Sequence, residues 1–281
     1  MVITPGGPRP RSSVYLIEQG YLVQARKKVL LKVDSLTREV RNKIGKINTV
    51  HNKSRQSLRR SPALAKKRLQ NVPISNQWII FAGWSRTPGD PLTYFQTEWI
   101  VPPPPATKNG QLIYLFNGIE NSGYNVILQP VLQWGVSPAG GGDYWAVANW
   151  YVGAPGSGKA LHSPLVRVEP GDRLSGIIRM TGHSGSGFDY TSSFNGLPTD
   201  LTLQGIEELT WACETLECYQ FAQFTDYPDT HKTVMSAIEL KTAKGESSPV
   251  WTSYNVVTDN GQHCDIVNNA SPGGETDLYY K

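Results

Sequence analysis

No stretch of this sequence reaches the roughly 18 consecutive apolar residues that a membrane-crossing helix requires, so a helical membrane protein is not expected. Cysteine is nearly absent. Cys213, Cys218 and Cys264 form an odd set that cannot make a fully paired framework. Cys213 and Cys218 stand close enough to bridge a tight hairpin in an oxidising compartment, and equally can remain reduced thiols. There is no CxxC pair. His51, His162, His183, His231 and His263 include no HExxH or other ligand spacing, so neither a metal nor another cofactor is expected. The opening residues MVITPGGPRPRSS lack the apolar segment of a secretory signal, which leaves the compartment undecided between secreted and cytoplasmic.

Acidic charge is the other scarcity, and it is local. Residues 1–75 carry 17 Lys and Arg against 3 Asp and Glu, a net of +14, whereas residues 76–281 carry 10 against 20, a net of −10. Opposite signs in one chain suggest that the basic segment packs on its own acidic domain or meets an acidic partner. Nucleic acid is not the expected partner, because the basic tract has no interleaved aromatic residues and precedes an acidic domain. The domain division follows, with a basic extension over 1–75 and the main domain over 76–281. Residues 1–13 are rich in Pro, Gly and Arg. Leu22, Val29, Val33, Leu36, Val40, Ile47 and Val50 recur at spacings that sum to sevens. That spacing predicts an amphipathic helix over about 14–50, packed on the domain or self-associating as a coiled coil. Residues 51–75 read as a basic linker.

After Asn76 helical periodicity is missing. Short runs rich in Val, Ile, Tyr and Trp alternate with Gly, Pro, Asn, Asp and Ser clusters. Candidate strands are 78–84, 94–101, 111–116, 125–134, 144–151, 164–168, 174–181, 188–194, 202–213, 219–225, 232–240, 250–257 and a final Leu-Tyr-Tyr. So many short strands predict an all-β fold, a two-sheet antiparallel sandwich of the lectin or glucanase jelly-roll kind. All eight Trp fall in this region, enough to supply a core and to line a ligand groove.

Several motifs fail on chemistry. GAPGSGKA (153–160) has the spacing of a phosphate-binding loop, but Ala160 replaces the Ser or Thr that reaches magnesium, and a strand pattern follows instead of a helix. TGHSGSG (181–187) is not GxSxG, since Ser186 falls where the second Gly belongs. His263, Cys264 and Asp265 are adjacent and so point to alternate faces of a strand; a hairpin end explains them. Asn52 and Asn269 open sequons that matter only in a secreted chain.

NVILQPVLQWG (125–135) holds Gln129 and Gln133 inside an apolar run. Gln129 is either a satisfied sheet amide or an amide aimed at a ligand. Pro130 cannot donate to a ladder, so the strand is expected to lie at an edge or to bulge there, and a bulge would re-aim Gln129.

The order SNQW, WIVP, FNGIE, ILQ, NWY, VEPGD and TWACE, over roughly residues 75–230, resembles the eqolisins, the glutamic peptidases. The resemblance implies a sandwich with a concave groove. On that groove a Glu would act as base to a water, and a Gln would donate to the oxyanion of the tetrahedral intermediate. Gln129 takes the position of that Gln and Trp78 that of an early groove Trp. Thr210 stands where the Glu belongs, Asn149 replaces a second Glu, and Glu120 replaces an Asp. Glu208 is the possible substitute, because it shares a face with Thr210 on a regular strand, about 7 Å away, and a one-residue bulge would bring it into play. The favoured expectation is a divergent protein without standard peptidase activity. Its aromatic groove, with Trp78, Glu120, Gln133, Asn149 and Thr210, would bind an extended peptide or glycan. The alternatives are an acid endopeptidase using Gln129 and Glu208, with residues 1–75 as an inhibitory pro-segment, and an oligomerising interaction module.

Overall fold

The computed structural model describes residues 1–46, 78–86, 89–153 and 158–281. The N-terminal part forms β1 (Val2–Thr4), β2 (Gly7–Arg9), β3 (Val14–Leu16), β4 (Tyr21–Arg26), β5 (Val29–Asp34) and β6 (Val40–Lys46). The central part forms β7 (Trp78–Ser85), β8 (Leu92–Ile100), β9 (Leu112–Asn121), β10 (Val126–Ser137), β11 (Gly140–Gly153), β12 (Ala160–His162), β13 (Val166–Arg167), β14 (Arg173–Ser184) and β15 (Gly187–Phe194). The remainder forms β16 (Leu201–Ile206), β17 (Leu209–Tyr219), β18 (Lys232–Thr242), β19 (Gly245–Glu246), β20 (Thr252–Asn255), β21 (His263–Asn268) and β22 (Gly274–Tyr279).

These strands build the two-sheet sandwich that the alternating pattern predicts. The first sheet runs β20-β7-β17-β9-β10-β11-β12-β3, with β13 beside β11; the second runs β21-β22-β18-β8-β14-β15-β16-β4-β5-β6, with β19 beside β18. The main core lies between them. Leu115, Leu128 and Leu132 of the first sheet meet Phe95, Trp99 and Ile178 of the second. A second apolar layer covers the outer face of the first sheet, with Trp78, Phe116, Val131, Trp150 and Trp211.

Of the helix expected over 14–50, residues 14–46 are described, and they form strands and turns instead. β3 pairs in parallel with β12, and β4 pairs in parallel with β16. The seven-residue spacing misled because it follows the hairpin repeat. β4, β5 and β6 turn at Lys27, Lys28 and Arg38, all at positive φ and none of them the Gly or Asn that normally marks such a turn. Leu36 and Val40, two members of the supposed stripe, are exposed. Ile47, Val50, the basic linker 51–75 and the Asn52 sequon lie outside the described residues.

Pro130 also sits differently from expectation. β10 is an interior strand between β9 and β11, and its bulge lies at Trp134 and Gly135. The register to β9 passes from Leu128–Ile119 directly to Val131–Phe116, so the missing Pro130 N–H faces β9 where the ladder is interrupted. Cys213 and Cys218 lie on one strand on opposite faces, so they do not bridge a hairpin.

Candidate functional site

Alternation along β10 divides its residues between two faces. Val126, Leu128, Leu132 and Trp134 join the main core, while Ile127 and Val131 join the outer layer; Gln129 and Gln133 share the outer period. One outward row crosses the sheet at Gln129. It contains Gly83, Cys213, Gly118, Gln129, Trp150 and His162. Gly118 lets its neighbours pack close there, since a Cβ on it would lie 3.0 Å from Ile127 Cδ1 and 3.4 Å from Gln129 Cβ.

Gln129 is 0% exposed, and neither its Oε1 nor its Nε2 has a hydrogen-bond partner. A buried unpartnered amide costs about 1–3 kcal/mol. His162 closes the row with its ring 4.8 Å from Trp150; its Nδ1–H donates to the Ser163 carbonyl, and burial holds its pKa below the ordinary value.

Glu120 stands on the same face. It pairs with Ile127 on one side and Trp211 on the other, so it is diagonal to Gln129 across two neighbouring strands, about 7–8 Å between backbones. It is fully buried. Trp78 lies on this face too, 5.8 Å from Phe116 and stacked 6.2 Å from Trp211.

The other sequence candidates go elsewhere. Gln133 faces outward, but its Nε2 donates to the Gly135 and Gly140 carbonyls and so holds the β10–β11 turn. Asn149 faces inward, donating to Thr199 and accepting from the Ser192 hydroxyl. Thr210 is the extra residue of a bulge between Leu209 and Trp211, and its carbonyl accepts the Arg86 N–H at 2.7 Å. That bulge lies after Glu208, which precedes β17; the Glu208 carboxylate accepts the Gly89 N–H at 2.7 Å.

Sequence reasoning passed over Glu217. It is buried on the outer face, and its two carboxylate oxygens accept the Gly6 N–H at 2.9 and 3.0 Å. Tyr219 donates to it as well. Counting by twos from Trp211 reaches Cys213, Thr215 and Glu217, so the strand period alone contains the signal. Through Gly6, and through Ile3, whose carbonyl accepts the Tyr114 hydroxyl, the β1–β2 hairpin sits on one end of this face. Arg9 is buried beside it, with Nε donating to Thr4 and Nη1 to the Gly158 carbonyl.

No family model and no curated protein matches the chain. Solved structures do. The chain is similar to scytalido-glutamic peptidase with a peptide-based transition-state analogue, at 13% identity and a TM-score of 0.46, covering 72% of this chain and 98% of that one. A second structure of that peptidase, with a transition-state analogue inhibitor, gives 12% identity and 0.47 over 72% and 98%. SCP-B, a member of the eqolisin family in complex with the tripeptide Ala-Ile-His, gives 14% and 0.44 over 73% and 98%. These three are structures of glutamic peptidases, the family that the motif order resembles.

Proposed function

We propose that the outer face of the first sheet binds an extended peptide around Gln129, and that the chain is not a standard glutamic peptidase. The observation that carries this is the Gln129 amide, wholly buried among aromatic residues with both polar atoms unpartnered. An extended peptide offers N–H and C=O groups in the spacing that one carboxamide satisfies at once. Trp78, Trp150 and Trp211 share the layer of Gln129 and give that amide an apolar surround. Where the resemblance calls for a carboxylate there is Thr210, whose hydroxyl cannot hold a proton as a base near neutral pH. Titration of the full chain with a library of short peptides tests this. Gln129→Leu is expected to weaken a bound peptide by about tenfold, the worth of one well-made hydrogen-bonded contact; unchanged affinity overturns the reading.

Hydrolysis is the second reading, favoured by Glu120 lying diagonal to Gln129. The pair suggested by sequence is Gln129 with Glu208, which requires Glu208 to release Gly89. A carboxylate would take a proton from water as its oxygen bonds to the amide carbon, Gln129 Nε2 would donate to the oxyanion, and the proton would pass to the leaving nitrogen. On this reading residues 1–75 inhibit, and acid trims the chain near residue 75. Casein digestion at about pH 3 by the wild type, Glu120→Gln and Glu208→Gln separates the two carboxylates.

A further inference from the structure

A cavity lies between the β4–β5 turn and the β14–β15 turn. It measures about 390 Å³. Leu30, Ala25 and Ile206 give it an apolar wall, Lys27 and Lys28 one side, Ser186 and the glycines beside it the other, and Tyr151 and Glu207 line it as well.

Two features mark it as more than a packing gap. First, Tyr151 is 2% exposed with its ring in the main core and lines the cavity, and among the described residues its hydroxyl has no hydrogen-bond partner. Burial and the neighbouring Glu207 raise its pKa, so the hydroxyl stays protonated and is a donor. Second, the β4–β5 connection is a two-residue hairpin turn closed by the Arg26–Val29 pair, with Lys27 at φ 49° and Lys28 at φ 65°. Such a turn favours Asn-Gly, because a left-handed backbone costs an ordinary residue about 1–2 kcal/mol. Here both positions carry lysines, and both line the cavity. A broken local preference of this kind is expected where a site, not the fold, selects the residue.

The polar groups are sorted by sign. Lys27 and Lys28 bring positive charge to one side. Glu207 is the lined carboxylate, and Asn121 Nδ2 donates to it. Asp189, close by, is already satisfied by the Ser184 hydroxyl at 2.8 Å and the Gly205 N–H at 2.7 Å. An anion therefore belongs against Lys27 and Lys28, and a neutral hydroxyl-bearing part of the same molecule against Tyr151 and Glu207, with C–H groups on the apolar wall. We infer that this cavity binds a small anionic sugar, a uronate or a sugar phosphate, through Lys27, Lys28, Ser186, Tyr151 and Glu207.

Calorimetric titration of the full chain tests the inference with glucuronate, glucose 6-phosphate, glucose and inorganic phosphate. At least one of the two anionic sugars is expected to bind about tenfold or more tightly than both glucose and phosphate, and the winner identifies the anion. Lys27→Asn with Lys28→Gly removes both charges while installing the preferred turn. It is expected to lower that affinity about tenfold or more and to leave thermal stability equal or higher. Tyr151→Phe keeps the ring in the core and is expected to weaken binding several-fold. Absence of binding by either anionic sugar, equal binding of glucose or phosphate, or full affinity in the Lys27→Asn, Lys28→Gly variant overturns the inference.

Discussion

Gln129 and Asn149 are carboxamides one register step apart in the same sheet, and they meet opposite fates. Asn149 pairs with Pro130, faces the second sheet, and has its amide bonded to Thr199 and Ser192. Gln129 faces outward with nothing on either atom. The inner face is closed by the protein's own groups, since that is where the sheets must meet. The outer face leaves a strong donor and acceptor unused, as expected if a partner outside the sandwich supplies the match. The inner face has gaps of its own, Asn117 Oδ1 and Glu214 Oε2 among them. Glu214 is fully buried, accepts the Thr97 hydroxyl on Oε1, and has no partner on Oε2; burial raises its pKa well above the ordinary 4.5.

The gap at Glu214 gives the largest expected effect. Because the folded-state pKa of Glu214 is raised, the unfolded chain releases its proton first as pH rises. Stability is complete below about pH 4.5 and falls by about 1.4 kcal/mol per pH unit until the folded-state value is reached. Glu214→Gln mimics the protonated acid. The difference between variant and wild type in urea unfolding should be near zero at about pH 4 and increasingly favour the variant as pH rises toward 7. Taking the difference cancels the opposite slope of Asp34, Asp90 and Asp226, whose lowered pKa values act at more acid pH. Parallel curves would remove Glu214 as the source of any acid preference.

The next effects set the two carboxamides against each other. Asn149→Leu strands Thr199 and Ser192 inside the core and is expected to destabilise by about 2–3 kcal/mol. Gln129→Leu strands nothing and removes a buried unsatisfied amide, so it is expected to stabilise by about 1 kcal/mol. Urea midpoints at constant slope measure both. If Gln129→Leu destabilises as much as Asn149→Leu, the outer amide is structural and the contrast between the faces disappears.

The sandwich was legible because strand alternation is written residue by residue. Trp78–Ser85 contains the strand read for it, and Leu92–Ile100 and Val126–Ser137 match theirs to within one residue at the end that falls short. The N-terminal strands were not, because Lys27-Lys28 and Arg38 turn the chain without the residues that advertise a turn. β21 was missed for a related reason. Its His263-Cys264-Asp265 start was read as a hairpin end, yet it pairs with β22 from His263–Tyr279 onward. On the outer face, Gln129 and Trp78 were singled out by motif order, and both side chains do lie there. The faces of Asn149 and Glu208 were not, because a replaced residue keeps its place in a motif even when its side chain serves the core or a loop. Glu217 needed only the period of two.

The smallest effect bears most on how far the outer face extends. Glu208 holds the Gly89 N–H from a partly exposed position before β17 begins. A single exposed hydrogen bond to a carboxylate contributes under about 1.5 kcal/mol, so Glu208→Gln should lower stability by only a few tenths. Peptide affinity at Gln129 should not change, because the Gln129 row runs through Gly118 and Cys213 and contains no part of the 208–210 segment. Peptide titration and urea unfolding of the one variant together decide the matter. A small stability loss with unchanged binding leaves Glu208 as a strap on the 89 loop. A collapse of binding or of casein cleavage would instead join the rim to the Gln129 face, and the carboxylate missing at Thr210 would have been found two residues earlier.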